Sequence, residues 1–243
     1  PKSSIAESFR SLRTNIQYIS PDDKIKVIMV SSTISGEGKT FCAANLATIF
    51  AMSGKKTLLM GLDLRKPKVH KDFGVSNELG ISTFLINKNT FEEVVLDTQI
   101  ENLFVAPSGP IPPNPAELIE SNRMKEFMDK AKDEFDTIIM DTPPVAIVTD
   151  PILLAKFADA NIFVVRQNYS SKNVVQLIDD LYHKIKLKKL GILINDIKLS
   201  GYYGYGYGYG YGYGYGYGYG QGYYGDENEK KSPFRIGKLL KKR

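Results

Sequence analysis

The stretch KVIMVSSTISGEGKTFCAANLATIFAM, residues 26–52, decides the fold. It opens with a short apolar run of the kind found in strands that are buried on both faces of a sheet. A polar loop with two glycines follows, and then an apolar segment of helical character. A strand, a glycine-containing loop and a helix in this order predict a phosphate-binding loop, because loop amides and a helix N-terminus both attract anions.

The same alternation of strand and helix continues along the chain. Predicted strands cover 26–31, 57–62, 103–106, 137–141, 160–166 and 189–195. Predicted helices cover 4–20, 38–53, 114–134, 149–158 and 172–186. This order predicts an α/β fold with a doubly wound, mostly parallel sheet flanked by helices, of the P-loop NTPase type. Ligands of such sheets bind beyond the carboxyl ends of the strands.

Composition divides the chain into four parts. We predict an N-terminal helix region over 1–22, a P-loop domain over 23–200, a disordered Tyr/Gly-rich tail over 201–225 and a basic end over 226–243. The basic end has seven Lys or Arg against three Asp or Glu. It could contact nucleic acid or an anionic membrane surface, although a solvated tail explains the charge equally well. We expect no nucleic-acid partner.

Cysteine and histidine usage excludes several classes of protein. The 243 residues include one Cys and two His, which rules out a disulfide framework and disfavours zinc sites built from these residues. The single Cys42 is expected to be a small core residue. No apolar run is long enough to suggest a membrane span.

The loop has the residues that bind a nucleotide phosphate. Gly36 and Gly38 let the backbone approach a phosphate closely, Lys39 would reach the β- and γ-phosphates, and the Thr40 hydroxyl would bind Mg²⁺. The usual pattern opens with Gly where this chain has Thr33. Seven consecutive residues are predicted to contact the nucleotide: Ser35, Gly36, Glu37, Gly38, Lys39, Thr40 and Phe41.

Two carboxylates follow strands near this loop. Asp141 ends the apolar run 137–141, in the Walker B position, and Asp63 comes directly after the predicted second strand. Both are expected to hold Mg²⁺ directly or through water. The alternative for Asp141 is a strand-ending residue that caps a turn. Arg65 follows Asp63 closely enough to meet a phosphate.

Three further residues have less decisive patterns. Asn195 ends the last predicted strand, where similar nucleotide-binding proteins often have an Asn near the adenine, and a turn-forming Asn is the alternative. Asp150 precedes Pro151 and is expected to be a helix N-cap. The Glu37 side chain is expected to face solvent.

Together these motifs resemble the bacterial tyrosine kinases (BY-kinases), which regulate the polymerisation and export of capsular polysaccharide and exopolysaccharide. Two stretches carry the resemblance beyond the nucleotide motifs: Glu7-x-x-Arg10-x-x-Arg13 and the run GPIPPNPAEL at 109–118. The resemblance covers about residues 1–200. Partition and division-site ATPases share the nucleotide motifs, but they have a Lys where this chain has Ile34, and they lack a tyrosine cluster.

The resemblance implies an ATP- and Mg²⁺-dependent tyrosine autokinase in which Lys39, Asp63, Arg65 and Asp141 are catalytic. It also implies a homo-oligomer, with a ring as the expected form and with Glu7, Arg10 and Arg13 at the subunit contact. A transmembrane activator segment is expected, and the start at Pro1 suggests that it lies upstream on the same chain. The implied location is the cytoplasmic face of the bacterial inner membrane, and a tyrosine phosphatase is an expected partner.

One residue departs from the family pattern. The second nucleotide motif of the family usually has two Asp residues two positions apart, and here the first is Gly61, so that only Asp63 remains. The missing carboxylate is thought to help deprotonate the incoming tyrosine in the family. Because phosphoryl transfer depends mainly on positioning and charge stabilisation, we predict slow autophosphorylation, or a base role for Asp63. A nucleotide-binding pseudokinase and an assembly ATPase stay open as alternatives.

The tail supplies the predicted phosphate acceptors. Glycine keeps such a segment flexible and leaves each tyrosine ring uncovered. A sticky low-complexity linker is the alternative. The twelve acceptors are Tyr202, Tyr203, Tyr205, Tyr207, Tyr209, Tyr211, Tyr213, Tyr215, Tyr217, Tyr219, Tyr223 and Tyr224.

Overall fold

A computed structural model describes residues 3–18, 24–185, 187 and 189–198. Within these residues, seven strands form one sheet in the order β3-β4-β2-β5-β1-β6-β7. The strands are β1 (Val27–Ser32), β2 (Thr57–Gly61), β3 (Leu96–Asp97), β4 (Leu103–Ala106), β5 (Thr137–Asp141), β6 (Ala160–Arg166) and β7 (Leu190–Asn195). All neighbouring strands are parallel except β3 and β4. The predicted fold class is therefore confirmed.

Helices cover both faces of this sheet. They are α1 (Ser4–Tyr18), α2 (Lys39–Met52), α3 (Val69–Phe73), α4 (Ile81–Leu85), α5 (Phe91–Val94), α6 (Pro115–Glu120), α7 (Asn122–Glu134), α8 (Asp150–Leu154) and α9 (Val174–Lys184). A short 3₁₀ helix, Ala155–Phe157, follows α8. None of the helices within the described ranges is long and apolar enough to cross a membrane.

The central strands are apolar along most of their length because each face of the sheet packs on its own core. In β1, Val27 and Met29 belong to the cluster beneath α4, α5 and α7, whereas Ile28 and Val30 belong to the cluster beneath α2. The α2 helix is itself enclosed, since Phe9 and Ile16 of α1 belong to that second cluster. This explains why the α2 sequence is apolar on all sides.

Cys42 lies inside α2, as expected of a core residue. Its thiol is buried, and burial raises its pKa to about 12. At neutral pH the group is a thiol and behaves as a small apolar side chain.

Some predicted boundaries are wrong. The predicted single helix 114–134 is two helices, because Ser121 is extended between them (φ −67°, ψ 157°) and its side chain accepts a hydrogen bond from the Met124 amide. The predicted helix 149–158 ends at Leu154 and continues only as the 3₁₀ turn. The two-residue β3 and the short helices α3 to α5 were not predicted, since segments of two to five residues show no periodicity that a sequence reading could detect.

Strand order places the predicted site residues at one edge of the sheet. Asp141, the last residue of β5, pairs in register with Val30 of β1 on one side and with Gly61 of β2 on the other. The loops that follow β1, β2 and β5 therefore leave the sheet side by side. The tail, which begins at residue 201, and the basic end that follows it lie outside the described residues.

The aromatic contacts of α7 give a direct test of the core. Phe127 is fully buried and contacts Phe84 and Phe91, with ring centroids 5.1 and 4.8 Å away. We expect Phe127→Ala to lower the free energy of unfolding by about 3–5 kcal/mol, because the lost contacts leave a cavity. Urea denaturation measures this. The control Ile111→Ala, at a side chain that is 63% exposed, should change it by less than about 0.5 kcal/mol. Equal effects of the two changes would contradict the described core.

Candidate active site

The phosphate-binding loop connects β1 to α2. Gly36 and Gly38 have φ values of 91° and 98°, in the left-handed region that glycine favours. Helix α2 begins at Lys39, directly after Gly38. Lys39 and Thr40 therefore lie in the first turn of the helix, and its N-terminus faces the loop, as phosphate binding requires.

Lys39 lies between the two predicted carboxylates. Its Nζ is 3.1 Å from Asp63 Oδ2 and 3.3 Å from Asp141 Oδ1. The Thr40 hydroxyl donates to Asp141 Oδ2 at 2.8 Å. Lys39, Thr40, Asp63 and Asp141 therefore form one connected polar cluster at the ends of three strands.

Burial and mutual attraction shape the charges of this cluster. Burial by itself lowers the pKa of Lys39, but the attraction of Asp141 and Asp63 outweighs it, so that the pKa lies above its ordinary value. Asp141 is 1% exposed, and burial raises its pKa although Lys39 and Thr40 act in the opposite direction. A buried carboxylate with a raised pKa gains from a second cation. The oxygens of Asp63, Asp141 and Thr40 thus fit Mg²⁺, which prefers such ligands.

Glu37 is placed differently from its prediction. Its side chain was expected to face solvent, but the residue is fully buried. The carboxylate accepts hydrogen bonds from the backbone amides of Thr33 and Ile34 at 2.7 and 2.9 Å, and from the hydroxyls of Thr33 and Ser170. Glu37 thus links two parts of the phosphate-binding loop and joins this loop to the segment after β6. The unusual Thr33 supplies two of these donors, which explains a hydroxyl where the common pattern has Gly.

Arg65 is held by Asp150, not by the Lys39 cluster. Its Nε and Nη2 donate to the two carboxylate oxygens of Asp150 at 2.9 and 3.0 Å. The prediction that Asp150 caps a helix is wrong, because the cap position is Thr149 and the Asp150 side chain is fully buried in this ion pair. Arg65 remains 40% exposed and lines the cavity described below, so a contact with phosphate stays a prediction.

The remaining predicted residues are placed as follows. Asn195 is the last residue of β7, and its Nδ2 donates to the Glu37 carbonyl at 2.9 Å. A contact with adenine stays a prediction. In α1, Arg10 forms an ion pair with Glu7, and Arg13 donates to the Ile49 carbonyl of α2 at 3.3 Å. Their role at a subunit contact also stays a prediction.

A cavity of about 280 Å³ opens beside the cluster. The loop and the start of α2 form one side, with Phe41 among the lining residues. A basic side and an apolar side complete it. The basic residues are Arg65, Lys66 and Lys68, and the apolar residues are Pro143, Pro144, Ile147 and Val148. A polyphosphate on the loop would thus have cations beside it, in a cavity that is partly apolar.

The place of the missing carboxylate is filled by Ser108. A Cβ at position 61 would lie 3.0 Å from Ser108 Oγ and 3.3 Å from the Ser108 amide nitrogen. The Ser108 hydroxyl donates to the Gly61 carbonyl at 2.7 Å. Gly61 and Ser108 therefore fit each other, and a side chain at 61 requires Ser108 to move.

Comparison with known proteins identifies the family. The AAA-domain family model AAA_31 matches residues 25–194. The tyrosine-protein kinase YwqD of Bacillus subtilis (strain 168) is 42% identical over 209 residues, which cover 84% of this chain and 88% of YwqD. The chain belongs to the bacterial tyrosine-kinase family. The resemblance seen in the sequence is confirmed.

Solved structures agree with this family assignment. The kinase domain of the Escherichia coli tyrosine kinase ETK superposes on this bacterial tyrosine kinase with a TM-score of 0.78 at 31% identity, covering 86% of this chain and 83% of that one. The septum site-determining protein MinD of Pyrococcus horikoshii, solved in complex with Mg-ADP, has a TM-score of 0.59 at 21% identity and covers 70% and 69% of the two chains. The second likeness shows the shared fold alone.

Sequence reasoning missed the residues of this kinase domain that support the phosphate-binding loop or the end of β2 from a distance. Ser108, Tyr169 and Ser170 lie outside every motif. Their contacts join positions from 47 to 134 residues apart in the sequence. No local signal reveals such pairs.

The fit between positions 61 and 108 predicts a coupling in the kinase domain. We expect Gly61→Ala to lower the free energy of unfolding by about 1–3 kcal/mol, because the added methyl group overpacks the site. In the Ser108→Ala background the cost should be smaller, since the nearest atom is gone. A double-mutant cycle by urea denaturation measures the coupling.

A second strand glycine is the matched control for that cycle. Apart from its chain neighbours, no described residue has an atom within 4 Å of a Cβ added at Gly191 of β7, so Gly191→Ala should show no coupling to Ser108→Ala. Strictly additive effects of Gly61→Ala and Ser108→Ala would contradict the described packing.

Proposed function

We propose that this protein is an ATP-dependent tyrosine autokinase that phosphorylates the tyrosine tail of a neighbouring subunit. The observation that carries the proposal is the Lys39, Thr40, Asp63 and Asp141 cluster beside a cavity with a phosphate-binding loop, in a chain that has twelve tyrosines between 202 and 224. Membership of the bacterial tyrosine-kinase family supports it.

The cluster fits Mg²⁺ and the nucleotide phosphates. Thr40 and Asp141 would hold the metal, with Asp63 as a further ligand directly or through water. The metal supplies charge neutralisation at the β- and γ-phosphate oxygens. The loop amides and Lys39 would bind the same phosphates. That MinD was solved with Mg-ADP supports this use of the fold.

Lys39 links nucleotide binding to the proton acceptor. Asp63 Oδ1 accepts from the Lys66 amide at 3.0 Å, and Oδ2 accepts from Lys39 at 3.1 Å. When Lys39 turns towards the phosphates, Oδ2 loses that partner. If it holds the metal only through water, Asp63 can then accept the proton of the tyrosine hydroxyl while the tyrosine oxygen bonds to the γ-phosphorus, the bond from that phosphorus to the bridging oxygen breaks, and ADP leaves. This gives Asp63 the role that the missing carboxylate at position 61 has in the family.

The tail and its partners complete the proposed cycle. Unphosphorylated tails occupy neighbouring active sites and hold the subunits in a ring, with Arg10 and Arg13 of α1 at the contact. Each phosphate adds about −1.5 to −2 charges, so phosphorylated tails repel one another and the ring dissociates. A transmembrane activator segment, a tyrosine phosphatase and a place at the cytoplasmic face of the inner membrane belong to this proposal. Its physiological output is the control of capsule or exopolysaccharide polymerisation and export.

Gly61 favours a second candidate, a pseudokinase that binds nucleotide and acts as a scaffold. Because the Ser108 hydroxyl lies 3.0 Å from the position of an added Cβ, no carboxylate fits at position 61 without rearrangement. The two candidates differ in tyrosine transfer but share nucleotide binding.

Intact-mass spectrometry after incubation with Mg²⁺ and ATP separates the two candidates. We expect a ladder of added phosphates confined to residues 202–224, because the tail is the acceptor. Lys39→Met should abolish the ladder, since it removes the cation that binds the phosphates. No added mass in a wild-type protein that still binds nucleotide would contradict the autokinase and favour the scaffold.

A further inference from the structure

Three side chains from the β6–β7 edge of the sheet hold consecutive carbonyl oxygens of the phosphate-binding loop. We call them the carbonyl clamp: Arg166, Tyr169 and Asn195. Arg166 and Asn195 end β6 and β7, and Tyr169 lies three residues beyond β6. The pairs are Tyr169 Oη with the Ser35 carbonyl at 2.9 Å, Arg166 Nη1 with the Gly36 carbonyl at 3.2 Å and Asn195 Nδ2 with the Glu37 carbonyl at 2.9 Å.

The clamp fixes the direction of the loop amides. A trans peptide unit is planar, so the N–H of each residue points opposite to the preceding carbonyl. With the carbonyls of Ser35, Gly36 and Glu37 held on the clamp side, the next three amides point to the other side. Among the described residues, those that line the cavity include no member of the clamp. Within the described part of the chain, the clamp therefore contacts the loop on the side away from the cavity.

The clamp also packs on the two loop glycines. A Cβ at Gly36 would lie 2.6 Å from Tyr169 Oη, and a Cβ at Gly38 would lie 2.2 Å from Asn195 Nδ2. The glycines are thus required by their left-handed backbone and by the space that the clamp occupies. The phosphate-binding loop and the carbonyl clamp are therefore complementary in shape.

Further contacts brace the clamp. Arg166 forms an ion pair with Asp196 at 3.1 Å, and its guanidinium lies 5.3 Å from the centre of the Tyr169 ring. The Lys198 amide donates to Gln167 Oε1 at 2.6 Å. These contacts join the segment after β6 to the segment after β7. The latter leads directly to the tyrosine tail at 201.

We propose that Arg166, Tyr169 and Asn195 are positioning residues for nucleotide binding. They hold the loop with its amides towards the phosphates, so that binding does not require the loop to be ordered first. The inference rests on the proposed function only in taking a nucleotide polyphosphate as the ligand, and it does not require tyrosine transfer.

Tyr169→Phe in the full chain tests the proposal. The change removes one hydroxyl and keeps the ring. We expect the Kd for Mg-ADP, measured by isothermal titration calorimetry, to rise about three- to tenfold, the loss expected for one hydrogen bond. The KM for ATP in tyrosine transfer should rise similarly, while kcat changes less than about twofold, since the clamp has no contact with the reacting atoms.

Tyr182→Phe is the matched control. Tyr182 lies on α9, outside the clamp, and is 50% exposed, like Tyr169. Tyr182→Phe should leave the Kd for Mg-ADP unchanged. Asn195→Asp, which replaces an amide donor with a carboxylate facing the Glu37 carbonyl, should weaken binding more than Tyr169→Phe, but Tyr169→Phe decides the proposal because Asn195 also has the predicted adenine contact.

The outcomes are distinguishable from those that test the kinase itself. A raised Kd for Mg-ADP without any tyrosine phosphorylation would support the clamp and overturn the autokinase. An unchanged Kd in Tyr169→Phe would overturn the clamp, as would a lowered Tm without a change in Kd, which would show a structural role alone. If Asn195→Asp fails to fold, Tyr169→Phe still decides. A wild-type protein that does not bind Mg-ADP would overturn both proposals.

Discussion

The site depends on one ammonium group held between two carboxylates. Lys39 comes from the first turn of α2, Asp141 from the end of β5 and Asp63 from the loop after β2, and the Lys39 Nζ lies within 3.3 Å of both carboxylates. Two buried carboxylates repel each other and are costly to desolvate, so the cation between them makes their burial tolerable. The Lys39 ammonium is also a cation that a polyphosphate can attract away from the two carboxylates. In the proposed function, Lys39 exchanges these internal ion pairs for the phosphates of the nucleotide.

The fold supplies this arrangement through strand order. Because β5 lies between β1 and β2, the chain segments that follow all three emerge together. The helix N-terminus after β1 adds the partial positive charge of its free amides. Around this centre, Glu37, Ser170 and the carbonyl clamp hold the loop from the side away from the cavity. The site therefore has an inner layer, which lines the cavity and follows β1, β2 and β5, and a supporting layer behind it, which apart from Glu37 comes from the ends of β6 and β7 and the segment after β6.

The inner layer could be predicted from local sequence patterns, because its residues lie in short motifs. Lys39 and Thr40 follow a glycine-containing loop, and Asp141 follows an apolar run, so each could be assigned from its neighbours. The supporting layer was not predictable in this way. Glu37 was expected to face solvent because a charged loop residue usually does, but its buried carboxylate accepts from Thr33 and Ile34 of its own loop and from Ser170, which the fold brings to it. Asp150 was assigned as a cap because it precedes Pro151 at the start of a predicted helix, and its partner Arg65, 85 residues away, could not be seen from that local pattern.

The departure at Gly61 shows how one site can be altered without loss of the fold. Ser108 fills the space beside Gly61 and binds its carbonyl, so the strand end is packed without a side chain at that position. The remaining carboxylate, Asp63, is held by Lys39 on one oxygen and by a backbone amide on the other. In the proposed reaction, Asp63 is the group that changes partner.

Transfer between two different chains tests the central claim most directly. One chain has Lys39→Met and an intact tail, and the other has an intact site with its twelve tail tyrosines replaced by phenylalanine. After the two are mixed with Mg²⁺ and ATP, mass spectrometry locates any phosphate. An autokinase that acts on its neighbour's tail should place phosphate on the Lys39→Met chain, between residues 202 and 224. A Lys39→Met chain that stays unmodified beside a partner that binds ATP would contradict the account.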